Sequence, residues 1–117
     1  MGKLSTHVLD IALGKPGVGV QIELYLVEAG GKTLLKSAVT DQDGRCSAPL
    51  LEGPGLKPGQ YELVFAAGAY FDALGLTLPS PKFIDRVTLA FGIADAAHNY
   101  HVPLVLSPWA YSTYRGS

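Results

Sequence analysis

Glycine and proline punctuate this chain so closely that little besides short strands fits between them. Gly14-Lys15-Pro16-Gly17, Gly30-Gly31, Asp43-Gly44, Gly53-Pro54-Gly55, Pro58-Gly59, Pro79-Ser80-Pro81 and Ser107-Pro108 all carry turn chemistry. Gly supplies backbone conformations closed to L side chains, and Pro fixes φ and removes a ladder donor. The intervening apolar runs have period two. Val20, Ile22, Leu24 and Leu26 alternate with Gln21, Glu23 and Tyr25; Tyr61, Leu63 and Phe65 with Glu62 and Val64; Val87, Leu89, Phe91 and Ile93 with Thr88, Ala90 and Gly92. Each run has one buried and one wetter face, the mark of a strand at the surface of a core. The sole helix candidate is Ala69 to Leu76, with Tyr70, Phe71 and Leu74 on one face before Gly75. Seven or eight short strands with turn signals between them predict an all-β antiparallel sandwich.

A length of 117 residues accommodates one domain, expected to span 1–117, with no repeat or linker. Nine basic residues against ten acidic ones give a net charge of −1, with 16% charged residues. This excludes the basic patch of a nucleic-acid protein and the charge excess of a disordered tail. Hydrophobic residues at 48% are many for a small monomer, and predict a surface covered by another subunit. A single cysteine, Cys46, rules out an internal disulfide framework or a Cys-based zinc site. No apolar run approaches the roughly 18 residues of a membrane span, and MGKLSTHVLD has no apolar core of a secretory signal, so the expected address is the cytoplasm.

At the other end of the chain, His101, Pro103 and Val105 alternate with Val102, Leu104 and Leu106. If the latter three face the core, His101 and Pro103 face outward. The uncharged, aromatic segment Ala110-Tyr111-Ser112-Thr113-Tyr114 extends that outer face, which predicts an assembly surface there. Candidate reactive groups are few: His7, His98, His101, Arg45 and Cys46. Asp41-Gln42-Asp43-Gly44 lacks the further oxygen ligands of a calcium loop and reads as a turn. Cys46 reads as a small filler within a strand rather than a nucleophile. His98 and His101, three apart on a strand, point to opposite faces and do not share a metal. By residue pattern alone the histidines are ordinary surface residues, Arg45 is a solvated turn charge, and Tyr114-Arg115-Gly116-Ser117 is a frayed end.

Those same residues carry a resemblance. Tyr100-His101-Val102-Pro103-Leu104-Val105-Leu106-Ser107-Pro108, followed by Tyr111-Ser112-Thr113-Tyr114-Arg115-Gly116-Ser117, closely resembles the end of the 5-hydroxyisourate hydrolases, the transthyretin-related family. Leu4-Ser5-Thr6-His7-Val8-Leu9-Asp10 with Gly14-Lys15-Pro16 resembles their N-terminal signature. Thr40-Asp41-Gln42-Asp43-Gly44-Arg45 resembles their central turn, and Tyr70-Phe71 the segment before their short helix. The resemblance implies a transthyretin-like sandwich of two four-stranded sheets with one short helix. It further implies a homotetramer, a dimer of dimers with paired sites in a channel between dimers.

The implied reaction is hydrolytic opening of the six-membered ring of 5-hydroxyisourate to 2-oxo-4-hydroxy-4-carboxy-5-ureidoimidazoline, without metal or organic cofactor. His7, Arg45 and His101 are the implied catalytic residues, and His7, Arg45, Tyr114 and Ser117 the implied substrate contacts. Which histidine acts as base stays open at this stage. Asn99 stands where many members have a second His and, by alternation, would share a face with His101; His98 becomes a loop residue. The alternative is a non-catalytic small-ligand carrier of the transthyretin type, which shares the Ser-Pro-x-x-Tyr-Ser-Thr run but lacks the His, Arg and His found here at positions 7, 45 and 101.

Overall fold

The computed structural model describes residues 2–116. In chain order its strands are β1 (Lys3–Ser5), β2 (Val8–Asp10), β3 (Lys15–Pro16), β4 (Gln21–Glu28), β5 (Gly31–Val39), β6 (Leu51–Glu52) and β7 (Gly59–Ala66). Helix α1 (Ala67–Ala73) follows, then β8 (Arg86–Ile93), β9 (Tyr100–His101), β10 (Leu104–Leu106) and β11 (Tyr111–Thr113). One layer is the antiparallel sheet β5-β4-β7-β8. Its alternation places Ile22, Leu24, Tyr61, Leu63, Phe65, Val87, Leu89 and Ile93 in the core, as the period-two runs predict. Strand β5 escapes that pattern. It is a sheet edge with an irregular register opposite Leu24 and Tyr25, and nearly all of it is exposed.

The opposing layer is an all-β sheet divided in two hydrogen-bonded pieces, β11-β10-β2-β3 and β6-β1-β9. The division falls at residues 102 and 103, between β9 and β10. β1 and β2 are consecutive on one chain segment and β9 and β10 on another, and the two segments run parallel, pairing Ser5 with His101 and Val8 with Leu104. Val102 and Leu104 both donate toward the β1–β2 segment, so the nitrogen of Pro103 between them points the other way and its missing N–H interrupts no bond to that segment. Bonds from Val102 N–H to the Ser5 carbonyl (2.9 Å) and from Leu104 N–H to the His7 carbonyl (2.8 Å) flank the gap. Pro103 is itself buried, as are Val102 and Leu104, so the outer face expected at His101 and Pro103 is closed over at Pro103.

The helix starts two residues earlier than its sequence pattern predicts and ends before Leu74, which lies exposed beyond its last turn rather than on the packed face with Tyr70 and Phe71. At seven residues it is too short to stand alone. Its anchors are tertiary: Gly68 N–H donates to the Asp85 carbonyl at 2.7 Å, and the Tyr70 hydroxyl donates to Oδ2 of Asp10 at 2.6 Å. Asp10 is 2% exposed. Its Oδ1 accepts the N–H groups of Ala12 and Leu13, each at 3.0 Å, so three donors compensate a carboxylate withdrawn from water. Burial, and then the bond to Asp10, push the Tyr70 phenol well above its ordinary value.

Candidate active site

The turn after β5 is built to present Arg45. Oδ1 of Asp41 accepts the N–H groups of Asp43 (2.9 Å) and Arg45 (3.1 Å), and Gly44 N–H donates to the Asp41 carbonyl (3.0 Å). Gly44 has φ +76° and lies against the Val8 carbonyl, where a Cβ would collide, so only glycine fits. The Asp41–Gly44 segment is therefore a turn, with Oδ1 and the carbonyl of Asp41 engaged by backbone amides. Among the described residues no group of three or more His, Cys, Asp or Glu side chains is arranged to hold a metal ion.

Arg45 leaves this turn opposite His7 in an isolated antiparallel bridge. Nε2 of His7 donates to the Asp43 carbonyl at 2.7 Å, since a carbonyl only accepts. His7 is thereby fixed as the Nε2–H form when neutral, with its lone pair on Nδ1. The His101 ring lies 6.5 Å from that of His7, centroid to centroid, inclined at 41°. His101 is half-buried; desolvation, then the charge of Arg45, then His7 hold its imidazole below the ordinary 6.5. It is thus neutral near pH 7 and able to take up a proton. His7, Arg45 and His101 come from three distant parts of the chain and meet at one place.

Two further contacts frame His101. Ser5 Oγ is 2.9 Å from its Nδ1, and Gly116 N–H donates to its carbonyl at 2.7 Å. A Cβ on Gly116 would come within 2.8 Å of the ring carbon Cδ2, so glycine is required for the chain to pass this close. Ser5 is the residue that pattern reasoning passed over. The signal was present: Thr6 is buried, and Ser5 and His7 on either side of it emerge together.

The remaining candidates make no hydrogen bond to either imidazole among the described residues. Tyr114 is 58% exposed and, with Phe91, Tyr100, Val102 and Arg115, lines a hollow of about 190 Å3 at the sandwich edge. The Arg115 guanidinium sits 4.0 Å over the Tyr100 ring and donates to the Asn99 carbonyl at 3.1 Å. Ser117 lies outside the described residues. The Asn99 side chain accepts from Lys3 N–H at 3.0 Å, so the polar group at Nδ1 of His101 is Ser5, not Asn99. His98 is in an exposed turn, 3.5 Å from the carboxylate of Asp95. Cys46 follows the Arg45 bridge in a loop rather than a strand; burial, and then Asp41, push its thiol up against a smaller opposing effect of Lys36, the reverse of thiolate activation. A larger hollow of about 410 Å3, among Gln21, Glu23, Val39 and Arg86, shares no residue with the His7–Arg45–His101 cluster.

A two-layer sandwich with one short helix, carrying two imidazoles and a guanidinium on one face, defines a class of protein equipped to move a proton beside a developing negative charge. The chain belongs to the HIUase/Transthyretin family, whose model matches residues 4–116. It is 56% identical over 117 residues to the 5-hydroxyisourate hydrolase of Pseudomonas aeruginosa, covering 100% of this chain and 93% of that one. The fold superposes on (S)-allantoin synthase with a TM-score of 0.94 at 40% identity; the match covers 99% of this chain and 44% of that chain. Sea bream transthyretin, solved in complex with thyroxine, superposes with a TM-score of 0.86 at 26% identity over 97% of this chain and 94% of that one.

Proposed function

We propose that this protein hydrolyses 5-hydroxyisourate, opening its six-membered ring to 2-oxo-4-hydroxy-4-carboxy-5-ureidoimidazoline in urate breakdown. The observation that carries the reading is the convergence of His7 and His101, 6.5 Å apart, with Arg45 bridged to His7. A ligand carrier has no need of a neutral imidazole beside a cation. Ring opening needs both. Water adds to the ring carbonyl while an imidazole takes its proton, and His101 suits that role because its neighbours keep it neutral. The carbonyl oxygen becomes an oxyanion, which the permanently charged, forked guanidinium of Arg45 stabilises. The tetrahedral centre then collapses with cleavage of its bond to the ring nitrogen, which receives the proton. His7, pinned at Nε2 by Asp43, orients the substrate through Nδ1. Tyr114 and Ser117 are the further substrate contacts.

The same reading takes residues 1–117 as a single transthyretin-like domain working as a homotetramer, a dimer of dimers. In one chain the cluster lies on an open face, with Arg45 exposed and the imidazoles half-buried, so a second copy would enclose it. Exposed Ile11, Leu13, Phe83, Trp109 and Tyr111 are apolar surface for that contact. Cys46 is free, which fits a reducing compartment such as the cytoplasm. The test is the decay of 5-hydroxyisourate freshly generated from urate, with and without purified protein, paired with sedimentation. Acceleration by a tetramer is expected. A protein that leaves the decay unchanged while binding the compound would favour the carrier.

A further inference from the structure

We propose that Ser5 is a positioning residue that fixes the tautomer and the ring orientation of His101; the inference rests on reading His101 as the proton acceptor. The pairing is dictated by topology. Strands β1 and β9 run parallel with Leu4 opposite Tyr100 and Ser5 opposite His101. Leu4 and Tyr100 are buried, so the next residue on each strand emerges on the other face and the two polar side chains leave side by side. One backbone and one side-chain hydrogen bond hold this register tightly. Val102 N–H donates to the Ser5 carbonyl at 2.9 Å, and the buried Thr6 hydroxyl donates to the Val102 carbonyl at 2.7 Å. The Ser5 hydroxyl thus meets Nδ1 at 2.9 Å with Gly116 close against the ring's Cδ2 edge.

An imidazole bonded at one nitrogen presents the other. With Nδ1 taken by Ser5, Nε2 is the atom left to act on substrate, and a base needs its lone pair there. That requires Nδ1–H to donate to Ser5 Oγ. The Ser5 hydroxyl proton is then free for water. Space exists for it: Ser5 lines a hollow of about 190 Å3 with Cys46, Ser47 and Pro49, roomy enough for a water or for one extra methyl.

The experiment compares Ser5→Ala and Ser5→Thr in the tetramer, reading kcat and KM separately and the His101 tautomer by long-range 15N–1H correlation. Ser5→Ala is expected to lower kcat about tenfold to a hundredfold with KM changed less than about threefold, the scale of a lost hydrogen bond to a group that becomes charged. Its His101 nitrogens should move from the Nδ1–H signature toward a mixture of tautomers. Ser5→Thr should restore both readouts. Unchanged kcat and an unchanged tautomer in Ser5→Ala would overturn the proposal, as would a loss of activity with the tautomer intact. His101→Ala separates the two layers. If it is inactive while Ser5→Ala is wild-type, only the positioning role falls; if it keeps full turnover, the reading of His101 falls and the positioning role with it.

Discussion

His7 and Arg45 face each other across a single antiparallel bridge, so an imidazole and a guanidinium leave the backbone as neighbours on a surface that His101 completes. The bridge is held on its Asp43–Gly44 side. Val8 N–H donates to the Gly44 carbonyl at 2.8 Å, and Nε2 of His7 donates to the Asp43 carbonyl. These bonds fix the backbone from which the guanidinium leaves, and a cation held near a developing negative charge is where electrostatic catalysis gains most.

His7→Ala, Arg45→Ala and His101→Ala are each expected to reduce turnover of 5-hydroxyisourate by at least about a hundredfold, the scale of a lost general base or oxyanion contact. His98→Ala and Cys46→Ala should stay near wild type, because His98 sits with Asp95 in an exposed turn and the Cys46 thiol is held protonated. Steady-state decay of the substrate, corrected for its spontaneous hydrolysis, ranks the five variants. A collapse confined to either control would place the chemistry elsewhere.

The proton affinity of His101 supplies an independent test. Desolvation, Arg45 and His7 all lower it, so the neutral base persists below pH 6.5 and the acid limb of kcat/KM should lie beneath that value. Removing the positive neighbour removes one of the lowering effects. In Arg45→Gln the His101 midpoint, followed by NMR titration, should rise. A midpoint that stays put or falls in Arg45→Gln would mean that the guanidinium does not act on this ring.

Tyr70→Phe tests the link between helix and sheet. It deletes the 2.6 Å donor to Asp10 and leaves a buried carboxylate with two amide donors instead of three. The expected loss is about 1–3 kcal/mol, read from the denaturant midpoint at constant m-value. Because Asp10 closes β2 only three residues beyond His7, proteolysis of the Ile11–Leu13 segment should quicken in the same variant.

Gly116→Ala probes the close passage past His101. Its methyl would stand 2.8 Å from Cδ2 and 3.2 Å from Cβ of His101, so either the ring or the passing chain must shift. Turnover should fall about tenfold or more while Tm stays within a few degrees, since small misplacements of a catalytic group are costly and the core is untouched. Equal activity with a lowered Tm would assign Gly116 a structural role only.

The parts of the fold that sequence displays are those with a dominant period-two burial, β4, β7 and β8, although Val64 on β7 is buried as well. Positions 101–106 are equally regular in sequence, yet Pro103 is buried along with Val102 and Leu104, a tertiary event that alternation does not encode. The Asp10–Tyr70 bond was illegible for a related reason, because a carboxylate in a strand suggests a wet face until its donors are in view. His7, Arg45 and His101 were individually bland. What marked them was their place in longer motifs resembling a family, and what brings them together is strand pairing at long range. Asn99 lies in the loop before β9, where strand alternation does not apply and its side chain turns to Lys3.

The parallel registration of Ser5 with His101 spans 96 positions along the chain. Such a pairing closes a very large loop before it returns any contact energy, whereas the neighbouring strands β4 and β5 meet through a two-residue turn. During refolding, the hairpin is therefore available early and the His101 cradle late. Recovery of activity should trail the recovery of strand signal, and an assembly intermediate with most of its sheet formed would still be catalytically silent.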